Sequence, residues 1–318
     1  MQRSASRPSL RPVLVFLALA YGLAWLVALP LWLSDGLGNP LFGVLAIAIM
    51  ATPAIAALVV VRFVERPVSI PHALGLATYR PLGRFFFFLA LGLILPVLLV
   101  LAALAVGAFL GLYPADVTNF SAFRAVVALN DPTGTVLETV PIGALVAAQF
   151  LSVLAGALIN VVPALGEELG WRGWLLPRLL PYGMIPALVV SGAAWGLWHA
   201  PLILLGYNYP FAPGWLGLLA MVGTTMVLGT IFAWMRLRSN SVWPAALAHG
   251  SLNAAAGFSV VFAAGGERID TVNATILGWS GWLVPLVVIA VLFATGQFRG
   301  RAYDPVLAVG PRAGAGAA

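Results

Sequence analysis

Cysteine is absent from this 318-residue chain, which excludes disulfides, thiolate metal sites and a cysteine nucleophile. Lysine is absent as well, since all sixteen basic residues are arginine. Charge of either sign is scarce, at 8% of residues against about 25% in an ordinary soluble domain. Histidine occurs three times and acidic residues ten times. What fills the chain instead is hydrocarbon, with 62% hydrophobic residues and a mean hydropathy of +1.02. A water-soluble fold of this size cannot hide so much apolar surface. The expected solvent is the bilayer, and the expected fold class is an all-α polytopic membrane protein.

Uncharged intervals of roughly 20 residues or more mark eight expected helices, near residues 12–34, 41–63, 85–112, 141–164, 184–206, 215–235, 241–264 and 273–297. The opening "MQRSASRPSLRP" has the positive charge of a signal peptide. The twenty-three uncharged residues between Arg11 and Asp35 exceed the usual apolar stretch of about 7–15, so an uncleaved first helix is expected. The arginines test the count. Eight spans leave fourteen arginines on the N-terminal side and only Arg124 and Arg268 on the other, which by the positive-inside rule makes both termini cytoplasmic. The same scatter argues against a nucleic-acid partner despite the basic pI, because no stripe of charge forms. The expected division is a three-helix membrane region over 1–140, a four-helix core over 141–264, and a last helix with a disordered tail over 265–318. All-arginine usage and abundant Ala and Gly suggest a GC-rich bacterial genome, and therefore the plasma membrane.

Against this background the stretch "GEELGWRGWLLPRL", Gly166 to Leu179, stands out. A carboxylate near hydrocarbon is costly, so Glu167 and Glu168 need partners or work to do. Glu168 and Arg172 are four apart with the acid first, the favoured order for a helical ion pair. Glu167 points about 100° away, with no partner on its own helix, and is free for acid–base chemistry. His199, in "WGLWHAP", and His249, in "ALAHGSLN", both fall within expected spans, where an ionisable side chain is by default a functional hypothesis. His249 and Asn253 share a helix face, and the small residues between and after them suit close helix packing or room for a substrate backbone. Trp195, Trp198 and Pro201 either shape a pocket or simply pack. His72, in "SIPHALG", reads as a solvated loop residue. Glu167, His199, His249 and Asn253 can meet in a cavity open to the cytoplasm if the fourth span ends or kinks below the surface.

At these residues the chain resembles the CPBP family of intramembrane proteases, which includes the Ras-converting CAAX endopeptidase and bacteriocin-processing relatives. The resemblance rests on Glu167-Glu168-Leu-Gly-Trp-Arg172, Trp195-Gly-Leu-Trp-His199 and His249-Gly-Ser-Leu-Asn253, and covers roughly 141–264. Phenylalanine is commoner than tryptophan at the position of Trp195. The resemblance implies an endopeptidase acting on a membrane-associated or CAAX-like peptide, with Glu167 as the base that activates water, assisted by His199, and His249 and Asn253 holding the oxyanion. No cofactor is required in that mechanism. The competing one is a metalloprotease, with Glu167, His199 and His249 as the ligands of a catalytic zinc. A different class, a proton- or cation-coupled transporter using the same residues, predicts pseudo-symmetric halves, whereas polar spans occur only in the second half.

Overall fold

The computed structural model describes residues 9–76 and 81–299. Arg3, Arg7, Arg80 and the tail from residue 300 lie outside the described residues. Five helices are long and apolar enough to cross a membrane: α1 (Arg11–Trp32), α2 (Phe42–Glu65), α3 (Leu82–Phe109), α4 (Ile142–Glu168, running on as helix to Tyr182) and α6 (Gly214–Ser239). Between and after them come three shorter helices, α5 (Met184–Trp198), α7 (Trp243–Ala255) and α8 (Leu283–Ala294). Each overlaps one of the eight expected spans, with α5, α7 and α8 shorter than expected, and the chain is an all-α, multi-pass membrane protein. Among the described residues no β-strand occurs beyond an isolated Ala115–Ala263 bridge.

Two of the three short helices bear the histidines of the second half: α5 ends beside His199, and α7 carries His249 and Asn253. α5 ends at Trp198, and a separate turn covers Ala200–Ile203. Pro201 has no N–H to continue the ladder and clashes with the preceding turn, so His199 sits at the break. α7 stops at Ala255, two residues after Asn253. Such interruptions are tolerated at membrane depth where they line a cavity.

Contacts between connections define two ends of the bundle. At one end, Arg178 forks onto the Glu65 carboxylate through Nε and Nη2, at 3.1 and 2.7 Å, and its Nη1 donates to the Ala73 carbonyl. There too the Val242 N–H donates to the Gly75 carbonyl. At the other end, Trp32 Nε1 donates to the Pro201 carbonyl, the Asp116 N–H to the Phe262 carbonyl, and Tyr209 OH to the Leu277 carbonyl. The first end holds Arg62, Arg66, Arg178, Arg236 and Arg238, and the second holds Arg124 and Arg268. The asymmetry expected from the sequence is thus a property of the folded bundle.

α7 is the central helix. Nearly every side chain from Pro244 to Ser251 is buried, against α3 and α4 on one side and α6 on the other. Gly250 makes this possible, because a Cβ there would lie 2.8 Å from the Ala157 carbonyl oxygen of α4. The small-residue run after His249 therefore serves close helix approach at Gly250. α4 turns its other face outward, with Leu151 and Ile159 70% and 73% exposed, as expected of a lipid-facing surface.

Candidate active site

α4 passes at Glu168 into an i→i+5 stretch, Leu169–Leu175, in which all but Leu169 are buried. Wide helical turns of this kind recur at functional sites because they redirect side chains that a regular helix would hold elsewhere. Glu168 and Arg172 form the expected ion pair, Nη1 to Oε1 at 2.9 Å, with both side chains almost completely buried. The guanidinium also lies 4.0 Å from the ring centroid of Trp195 and 5.6 Å from that of Phe232. It occupies the space that a side chain on Gly229 would take, since a Cβ there would fall 2.5 Å from Arg172 Nη2.

His249 is held by Glu168. Its Nδ1 lies 3.0 Å from Oε1, the oxygen that Arg172 also uses. Because a carboxylate accepts, Nδ1 carries the proton and Nε2 is left for other partners. The ring stacks on Phe232 at 26° and meets Trp195 edge-on.

Glu167 takes its hydrogen bond from Trp195, Nε1 to Oε2 at 2.7 Å. His199 is bound to the same residue, with Nδ1 donating to the Trp195 carbonyl at 2.9 Å. A carbonyl cannot donate, so this fixes the proton on Nδ1 and leaves the Nε2 lone pair as the free face of a neutral ring. Trp195 is therefore the common support of Glu167 and His199, a role that goes beyond the packing or pocket-shaping considered from sequence. Trp198 is fixed in turn by donating Nε1 to Thr52 Oγ1 of α2 at 3.1 Å.

Glu167, His199, His249 and Asn253 all line one cavity of about 370 Å³. Asn160 lines it too, and the sequence reading missed it. The available signal was its spacing: seven residues before Glu167 puts it on the same face two turns away. Its Nδ2 donates to the Gly156 carbonyl at 2.8 Å. Glu168 and Arg172 stand behind the cavity wall, as support. His72 is half-buried in the short turn Ile70–Ala73, far in sequence and role from this group.

Tyr207, Asn208, Ile276 and Leu277, in the connections at the arginine-poor end, line the cavity as well. In the i→i+5 turn and the segment after it, Trp171, Trp174, Leu175 and Leu176 are completely buried.

The set expected for zinc does not assemble as a ligand group. Among the described residues, no cluster of three or more His, Asp or Glu side chains could hold a metal ion.

The model of the Rce1-like family, described as type II CAAX prenyl endopeptidase Rce1-like, matches residues 148–255. A curated relative, CAAX prenyl protease 2 of Methanococcus maripaludis, is 35% identical over 78 residues, which is 23% of this chain and 28% of that protein. The alignment thus spans little more than a quarter of the relative. Residues 148–255 contain all three motifs and every side chain of the Glu167–His199–His249–Asn253 group, so the similarity to the Rce1-like family falls on the candidate site itself.

Proposed function

We propose that this protein is an intramembrane endopeptidase that hydrolyses a peptide bond with water activated by Glu167 and His199. The observation that carries the reading is the convergence of four polar side chains, from three helices scattered over 87 positions of sequence, on one cavity inside an apolar bundle. Desolvated groups held in fixed orientation are what acid–base and electrostatic catalysis need.

In this mechanism Glu167 keeps Oε2 on the Trp195 indole and offers Oε1 to the water. The Nε2 lone pair of His199 accepts from the same water and aligns its attack. As water adds to the scissile carbonyl, its proton passes to the Glu167 carboxylate, which later returns it to the departing amine. His249 Nε2–H and the Asn253 amide donate to the developing oxyanion. With Nδ1 already donating to Glu168, a proton on Nε2 makes the His249 ring an imidazolium, and the Glu168 carboxylate balances that charge. Arg172 holds Glu168 in place. No step passes through a metal. The comparisons give no support to the transporter alternative.

The test is hydrolysis of a membrane-proximal peptide by purified protein, with metal analysis of the active preparation. Glu167→Ala, His199→Ala and His249→Ala are each expected to abolish cleavage without loss of the folded state. Full activity in any of the three, or stoichiometric zinc whose chelation kills activity, overturns the mechanism.

A further inference from the structure

Building on the endopeptidase reading, we infer that Asn160 is a further substrate-binding residue, whose carboxamide holds the main chain of the bound peptide about three residues from the bond that is cut. The mechanism above does not use it. Its neighbours Leu158, Ile159 and Val162 are exposed on the lipid-facing side of α4. Asn160 itself is half-buried and lines the cavity together with Glu167, His199, His249 and Asn253. A carboxamide at membrane depth is costly unless it is hydrogen-bonded, and its usual structural work there is to bridge neighbouring helices. Asn160 does no such work. Among the described residues its one hydrogen bond, from Nδ2 to the Gly156 carbonyl at 2.8 Å, stays within α4.

That bond decides which way the amide points. A carbonyl accepts, so the nitrogen must face it, and Oδ1 and the second N–H are left for another partner. Oδ1 is not sealed in the core, and the space that Asn160 adjoins is the cavity. One acceptor and one donor on a planar group match the N–H and C=O that an extended chain presents from its backbone. The support beneath is stiff, because α4 and α7 touch backbone to backbone at this level. A Cβ on Gly250 would lie 2.9 Å from the Val161 nitrogen and 3.0 Å from the Asn160 carbonyl carbon. A group so held needs little ordering when the peptide binds.

The register of the two helices gives the distance from the chemistry. His249 meets Glu168, Gly250 meets Asn160 and Val161, and Ala254 lies against Gly156, so α4 and α7 run antiparallel. Moving from His249 to Asn253 on α7 is therefore moving from Glu167 towards Asn160 on α4. Seven residues separate Asn160 from Glu167, which is two turns on one face and about 10 Å along the axis. Both side chains lean towards the N-terminal end of α4, so the spacing is preserved. An extended peptide advances about 3.3 Å per residue. With its scissile bond at Glu167 and its oxyanion at Asn253, it comes level with Asn160 about three residues further along.

The test uses purified full-length protein, a peptide that it cleaves, and a set of ester analogues of that peptide. Each analogue replaces one backbone N–H by oxygen, about two to four residues to either side of the bond cut. Asn160→Ala is expected to raise KM by about 5- to 10-fold, the worth of one or two neutral hydrogen bonds, with kcat changed less. In the wild type, one ester position is expected to raise KM by a similar factor. In Asn160→Ala that same position should cost nothing further, while the other positions act alike in both proteins. Asn160→Leu, which fills the space without a polar group, is expected to repeat the result, and thermal unfolding of both variants is measured alongside. An unchanged KM in both variants overturns the inference. So does a lowered unfolding temperature with every ester penalty the same as in the wild type, since Asn160 then acts on the fold alone. If the wild type cuts no peptide at all, the endopeptidase reading fails and this assignment falls with it. Cleavage by the wild type without coupling between Asn160 and any ester position removes the assignment and leaves the endopeptidase reading standing.

Discussion

Arg172 Nη1 and His249 Nδ1 both donate to one oxygen, Glu168 Oε1, at 2.9 and 3.0 Å. Arg172 lies on the segment that continues α4 and His249 on the central α7, so a single buried carboxylate fixes the two helices that bear the proposed base and oxyanion donors. Its second oxygen, Oε2, has no hydrogen-bond partner. Removing a partner from a buried charged group leaves the other uncompensated, at about 3–5 kcal/mol. Glu168→Ala is therefore expected to lower the thermal stability of the detergent-solubilised protein by that order and to remove activity. Glu168→Gln keeps an oxygen for one donor but not the charge. It is expected to retain more of the fold while hydrolysis falls towards the His249→Ala level. Thermal unfolding and peptide cleavage, measured on the same preparations, separate the two effects.

Trp195 supports Glu167 through its indole N–H and His199 through its carbonyl. Trp195→Phe removes only the first, since the backbone carbonyl survives. A buried acceptor that loses its donor costs about 1–3 kcal/mol, so the fold should persist. The rate is expected to fall by about 10- to 100-fold through misplacement of the carboxylate, with kcat affected more than KM. Steady-state kinetics on a peptide substrate distinguish this from a packing defect, which would change expression and unfolding without the kcat bias.

Much of this arrangement is legible in the sequence because membrane proteins advertise two things strongly. Uncharged runs give the spans, and ionisable residues within them give the site. Glu167, His199 and His249 stand out on those grounds alone, while Asn253 beside His249 and the Glu168–Arg172 pair follow from i,i+4 spacing. Two features were not legible. The Trp195 indole bond depends on how α5 and α4 face each other, which no local periodicity encodes. His249 engaging Glu168 depends in the same way on how α7 packs against α4.

Glycine marks two places where helices meet too closely for a side chain. At Gly229 a Cβ would come within 2.5 Å of Arg172 Nη2, and at Gly250 within 2.8 Å of the Ala157 carbonyl oxygen. Gly229→Ala meets the end of a side chain, which can shift. It is expected to cost about 1–3 kcal/mol and to reduce activity by moving the guanidinium off Glu168. Gly250→Ala meets backbone, which cannot move without separating α7 from α4, so it should cost more and abolish activity. Gly22→Ala in α1, with no atom within 4 Å of the new Cβ, is the control and is expected to leave unfolding and hydrolysis unchanged or slightly improved. Equal losses in all three would refute the close-approach argument.

Asp116, in the connection after α3 at the arginine-poor end, organises its loop by accepting several hydrogen bonds. Ser121 Oγ donates to Oδ2 at 2.6 Å, the Asn119 N–H to Oδ1 at 2.8 Å, and the Ser121 N–H to Oδ2 at 3.1 Å. Ser121 Oγ also receives the Gly265 N–H at 2.8 Å, so the carboxylate links the α3–α4 connection to the one preceding α8. These donors, the Ser121 hydroxyl first and the Asn119 amide next, hold the Asp116 carboxyl well below its ordinary range. A depressed folded-state value means the ionised form is the stabilising one. The contribution is present above the unfolded aspartate value of about 3.9 and disappears as pH falls below it through the folded value. At pH 7 the loop is therefore at full strength, and Asp116→Asn should mimic strong acid. Hydrogen exchange at pH 7 is expected to show loss of protection at the Asn119, Ser121 and Gly265 amides in this variant, with α7 unaffected. Unchanged protection at all three amides would mean that the turn is held by backbone packing and not by the Asp116 charge.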